Sequence, residues 1–151
     1  MEQEREQLKE ALANSKFEMK EVTGKRLLEQ MPPSIPADVN FAINVDSQPL
    51  GIAVRMEIKL TSKVAELKVV GNCDLYLGEG WQVRKEVADS FLAHDCIGVM
   101  YPPLRQALSL LNYQLGLPHL LLPPQLSEKV TQNMVSSYDG GDVFEYEDSR
   151  A

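Results

Sequence analysis

The fold is decided by DVNFAINVDSQPLGIAVRMEIKLTSKVAELKVVGNCDLYL, residues 38–77, where apolar and polar residues alternate with a period of two. Successive side chains on a strand point to opposite faces, so this alternation predicts strands with one dry face and one wet face. Val39, Phe41, Ile43 and Val45 alternate with Asp38, Asn40, Ala42 and Asn44 until the turn-forming run Asp46, Ser47, Gln48, Pro49. Ile52, Val54, Met56, Ile58 and Leu60 then alternate with Ala53, Arg55, Glu57 and Lys59. The short connection Thr61, Ser62, Lys63 implies an antiparallel hairpin. In the third strand Ala65, Leu67, Val69, Cys73, Leu75 and Leu77 share the apolar face, with Glu66, Lys68, Asn72, Asp74 and Tyr76 opposite.

Upstream, residues 16–30 carry Phe17, Met19, Val22, Leu27 and Leu28 in an extended pattern that slips near Gly24, as at a bulge, before Pro32, Pro33 and Pro36 force a loop. Residues 2–13 read as a polar, marginal helix that frays easily, closed near Asn14. Downstream, Gly78 and Gly80 break the strand, and Val83, Val87, Phe91 and Leu92 recur at helical spacing to about Asp95. Pro102 and Pro103 suit the opening of a second helix, with the stripe Leu104, Ala107, Leu108, Leu111 and Leu115 ending at Gly116. Leu126, Val130 and Met134 mark a last helix. The expected fold is α+β, strands first and helices last, with the helices covering the apolar face of the sheet. The expected organisation is a charged helical extension (residues 1–15), one domain (16–136) and an acidic disordered tail (137–151).

The chain has 151 residues and a formal charge of −7, which counts against nucleic acid as a partner because phosphate binding needs clustered Lys and Arg. From Tyr138 onward five acidic residues oppose one Arg, which fits a solvated tail. No apolar run approaches the roughly 20 residues of a membrane span. The charged first ten residues lack a secretory signal pattern, so a cytoplasmic location is expected.

Catalytic chemistry finds little to build on. His94 and His119 are the only histidines, and Cys73 and Cys96 the only cysteines. His94 and Cys96 stand two apart, which does not put them on one helix face, and neither cysteine belongs to a recognisable zinc spacing. No phosphate loop, nucleophile elbow or zincin helix occurs, so no enzyme activity, metal or cofactor is expected. A small-ligand pocket using His94 and Cys96 remains the alternative from another class.

Apolar side chains outside the strands are more informative. Tyr76, Trp81, Ile97, Val99, Met100, Tyr101, Leu120, Leu121 and Leu122 gather around the helix boundaries and the proline-flanked loop. Trp81, Tyr101 and the leucine triplet fit a core and an open groove equally well. Aromatic and Met side chains in a groove accept many extended apolar segments without reading their sequence.

Residues 93–124 hold Cys96, Tyr101-Pro102, Leu104-Arg105, Gly116-Leu117-Pro118 and Leu120-Leu121-Leu122-Pro123 in that order. This resembles the SecB export-chaperone family, whose members run from a Cys through an aromatic-Pro and an Arg-bearing helix to a Pro-Leu-Leu-Pro loop. Phe17, Met19, Val22, Lys25, Leu27 and Pro32 are similar to the family's first strand, so the resemblance spans roughly residues 16–135. It implies a SecB-like fold, a four-stranded antiparallel sheet with one face covered by helices, and an ATP-independent holdase that binds unfolded or pre-secretory polypeptides in apolar grooves, with tetramers built as dimers of dimers. The nine residues named above would then bind the client. The sequence departs from the family at Cys96-Ile97, where members have Cys-Pro, at Gln125-Leu126, where they have Asn-Phe, and in the added N-terminal helix. Arg26 and Gln30 replace acidic positions through which members dock the motor SecA, which counts against that partner. A specialised SecB-like chaperone dedicated to one partner, such as an antitoxin, fits the same residues.

Overall fold

A computed structural model describes residues 2–27, 37–117, 122–138 and 143–145. Helix α1 (Glu2–Ala13) leads into strand β1 (Phe17–Arg26), followed by β2 (Asp38–Gln48), β3 (Gly51–Thr61) and β4 (Ala65–Tyr76). Short β5 (Gln82–Arg84) passes into α2 (Lys85–Phe91), a π-helical turn (Leu92–Cys96) and α3 (Ile97–Gln114). Helix α4 (Glu128–Ser137) and strand β6 (Val143–Glu145) complete the order.

The four long strands form one antiparallel sheet in the order β1-β4-β3-β2. Its two faces separate as the alternation requires. Val54, Met56, Ile58 and Leu60 of β3 are buried, while Arg55 and Lys59 are exposed. On the wet face Lys68 lies between Glu57 (3.1 Å) and Glu21 (3.3 Å). Such exposed pairs contribute about 0–1 kcal/mol, so the opposite face carries the stability. The irregularity expected near Gly24 falls instead between Met19 and Glu21, and Gly24 pairs regularly with Leu67. Gly24 has a different task. A Cβ there would sit 2.8 Å from Leu115 and 3.0 Å from Leu111, so its absence lets the end of α3 lie on β1. Gly71 does the same more strictly, since a Cβ would come within 2.3 Å of the Phe17 ring.

Helix α3 lies across β1, β4 and β3, and α4 covers β2, so the apolar face is closed by helices. The helical layer differs from expectation in one respect. Helicity does not stop at Asp95 and restart at Pro102; it runs unbroken from Lys85 to Gln114, with Pro102 and Pro103 inside α3. The N–H groups lost there are those that would reach the carbonyls of Gly98 and Val99, and both residues are exposed, so water can take their place. Continuity also depends on the π turn, in which the Ile97 N–H donates to the Leu92 carbonyl five residues back. Every fourth residue from Ala88 to Leu108 (Ala88, Leu92, Cys96, Met100, Leu104, Leu108) is buried. On an ideal helix each step of four rotates by about 40°, which would carry this row around the helix, and the wider π turn takes back part of that drift.

The N-terminal helix is docked. Leu8 is fully buried, Ala11 and Leu12 nearly so, and α1 packs on α2 and β4. Asp95 of the π turn receives Arg5 at 3.3 Å and Lys9 at 4.0 Å, while Gln7 donates to the Leu77 carbonyl at 3.1 Å. The expectation of a fraying helix rested on its charge; Leu8, Ala11 and Leu12 are what hold it. The tail nominated as disordered falls mostly outside the described residues, but residues 143–145 pair as a strand with β5.

Candidate functional site

Helix α3 carries large apolar residues on two sides, and an apolar side of a helix needs cover. Its inner face has it: Ile97, Met100, Tyr101, Leu104 and Leu108 are buried against the sheet. Among the described residues its outer face is left open. Val99, Leu110 and Tyr113 lie at helical spacing with exposures of 49%, 56% and 82%. A cavity of about 850 Å³ opens beside this face, lined by Arg105, Leu108, Leu110, Tyr113, Leu117 and Leu122, with Pro102, Gln106, Ser109 and Asn112.

Both walls are fixed by the backbone. Gly116, at φ 66°, ends α3 in the left-handed conformation, with its N–H on the Tyr113 carbonyl and the Leu117 N–H on the Asn112 carbonyl. Beyond it, Leu122 and Pro123 lie against α3. They are tied down by the Arg105 Nε donating to the Leu122 carbonyl (3.0 Å) and the Tyr101 hydroxyl donating to the Pro123 carbonyl (2.6 Å). Desolvation raises the Tyr101 hydroxyl above its ordinary pKa, with Arg105 opposing, so it stays a donor across the physiological range. A second apolar surface lies on β1, where Met19 and Val22, on the inner face but at the sheet's edge, are 39% and 45% exposed.

The structure separates the nine nominated residues. Trp81, Ile97, Met100, Tyr101 and Leu122 are buried, Trp81 with its indole N–H on the Gln48 carbonyl at 2.9 Å. Tyr76 and Val99 are exposed, and Leu120 and Leu121 lie outside the described residues. The continuous helix explains the burial, because it turns Met100 and Tyr101 onto the sheet where a break before Pro102 would leave them in a loop. Leu110 and Tyr113 were missed. The signal was present in the apolar residues left over once the stripe Leu104, Leu108, Leu111 and Leu115 is assigned inward.

The catalytic alternative gains no shared site. His94 lines a cavity of about 250 Å³ with Ile97, Tyr101, Leu126 and Thr131. Cys96 is fully buried in the core, 3.6 Å from the Met100 sulfur, and burial pushes its thiol far above the ordinary 9.0. Cys73 is also buried and free, its thiol raised chiefly by desolvation. Such thiols are poor nucleophiles. Among the described residues no group of three or more His, Cys, Asp or Glu is placed to hold a metal, and His119 lies outside them. Among those residues, too, no helix is long and apolar enough to cross a membrane.

No protein-family model and no curated protein matches the chain. Among solved structures it is similar to the SecB-like chaperone of Mycobacterium tuberculosis, determined in complex with a ChAD peptide from the HigA1 antitoxin. The two are 20% identical with a TM-score of 0.60, over 82% of this chain and 96% of that one. At that identity the likeness speaks to architecture, and with the sheet order and the helical layer it establishes that the chain has a SecB-like fold.

Proposed function

We propose that the protein is an ATP-independent holdase, a non-enzymatic chaperone that keeps non-native polypeptides from aggregating. The observation that carries this reading is the uncovered outer face of α3, with Val99, Leu110 and Tyr113 beside an apolar cavity. Exposed aromatic and aliphatic side chains over a groove bind extended apolar segments through area rather than sequence. Of the residues nominated from sequence, Tyr76 and Val99 are offered to a client directly, and the buried Leu122 forms part of the cavity's lining. Trp81, Ile97, Met100 and Tyr101 belong to the core, and Leu120 and Leu121 directly precede the cavity-lining Leu122 in sequence. The protein works in the cytoplasm as a homo-oligomer, a dimer of dimers, and the exposed Met19 and Val22 on edge strand β1 are a face suited to self-association.

Stoichiometric protein added to a reduced, aggregating client without nucleotide is expected to suppress turbidity. The double variant L110D/Y113D is expected to lose that effect while melting like the parent. Unchanged turbidity with the parent protein, or full protection by a folded double variant, would remove the basis for the proposal. Light scattering tests the oligomer separately.

A dedicated role is the second reading, favoured by the peptide bound to the structural neighbour, which comes from an antitoxin. Under it, one partner's extended segment binds at defined stoichiometry and generic clients aggregate as before, whereas a role in export predicts the reverse.

A further inference from the structure

The carboxyl-terminal segment returns to the body of the protein as β6, antiparallel to β5, with Gln82 opposite Glu145, Val83 opposite Phe144 and Arg84 opposite Val143. A ladder this short is marginal in water by itself. Its position is set by a tether. Tyr138, just past α4, is buried, its hydroxyl donates to Asp89 Oδ1, and the Lys85 ammonium sits 4.5 Å from its ring centroid. Lys85 also reaches Asp89 at 3.1 Å and directly follows Arg84, the last residue of β5. Only residues 139–142 separate this fixed point from β6, so the strand faces β5 at an effective concentration on the order of millimolar. Charge does not select it, because Arg84 already meets Glu4 at 3.4 Å and Glu86 at 3.8 Å. What β5 offers is backbone, which pairs with any extended chain.

We infer that the edge of β5 is a strand-accepting site for an extended polypeptide segment, and that residues 143–145 are its resident occupant in cis. A three-residue ladder is held by its tether and not by its own length, so a second extended segment at sufficient concentration exchanges with it. Without such a strand the edge stays covered, which is how soluble proteins avoid edge-to-edge association. The site lies on elements other than α3 and stands whether or not the outer face of that helix takes clients.

The test uses the full-length chain with Phe144→Pro and, separately, Glu145→Pro. Alternate residues of an antiparallel strand donate to a given neighbour, so one of the two substitutions removes a donor aimed at β5. Amide hydrogen exchange at Gln82, Val83 and Arg84 is expected to speed up by about tenfold or more in at least one variant, with core amides unchanged. A synthetic peptide of residues 139–148, added at millimolar concentration to that variant, is expected to restore protection. Equal exchange at β5 in the parent and both variants, or no response to the peptide, overturns the inference. Protection that falls on dilution of the parent would place the strand in a second copy and overturn the occupant in cis.

Discussion

The two faces of α3 are built from similar residues and serve opposite ends. Met100, Leu104 and Leu108 on one side are fully buried, whereas Val99, Leu110 and Tyr113 on the other are half exposed or more. Hydrophobicity alone does not tell them apart; the sheet does, by covering one side and stopping. A residue on the inner face is held by everything around it, and one on the outer face meets solvent among the described residues.

That contrast is easiest to break from within. Leu104→Ala is expected to cost about 2–5 kcal/mol, read as a lower denaturation midpoint at constant slope, because the site closes only partly around the lost methyl groups. Gly71→Ala acts from the opposite wall. Its new methyl meets the Phe17 ring at 2.3 Å and Leu104 at 3.2 Å, so overpacking of about 1–3 kcal/mol is expected in the same assay.

Alkali probes the inner face without mutation. Cys96 and Cys73 have folded pKa values above the ordinary 9.0, and Tyr101 and Tyr138 above 10.0, chiefly through burial. The unfolded chain therefore releases protons first. Stability is fully present below pH 9 and falls as pH rises beyond it, by up to about 1.4 kcal/mol per pH unit for each group that titrates only when unfolded. Urea midpoints measured from neutral pH into the alkaline range check the sign, and a rise would contradict it. The outer face should register least. Leu110→Ser is expected to move stability by no more than about 0.5 kcal/mol while reducing protection of an aggregating client, which separates surface from scaffold in one variant.

The sheet was legible because period two in residues 38–77 has one physical meaning, and the hairpin registers follow from short turns. The helical layer was legible only in part. Pro102 and Pro103 are strong stop signals, but they lose just two helical bonds, and on the solvent side, so burial of Met100, Tyr101 and Leu104 outweighs them. The row Ala88, Leu92, Cys96, Met100, Leu104, Leu108 was visible in the sequence, yet a spacing of four sustained for twenty residues fits no regular helix and is easily passed over. Docking of α1 turned on Leu8, Ala11 and Leu12 among charges. The candidate surface was harder still, because an apolar residue announces that it avoids water, not whether it does so inside its own chain or against another. Tyr76 and Val99 were placed outside by the fold, and Trp81, Ile97, Met100 and Tyr101 inside.

The π turn at Leu92–Cys96 carries one residue more than an ordinary turn while keeping the buried sides of α2 and α3 in phase. The chain therefore has a residue to spare at this point. Shortening it there, for example by omitting Ala93, should yield a plain α-helix with the same sides facing in and out. When this chain is aligned with distant proteins of like architecture, a one-residue gap across 92–96 should be accepted as a change of pitch and not taken as a shift in which residues correspond.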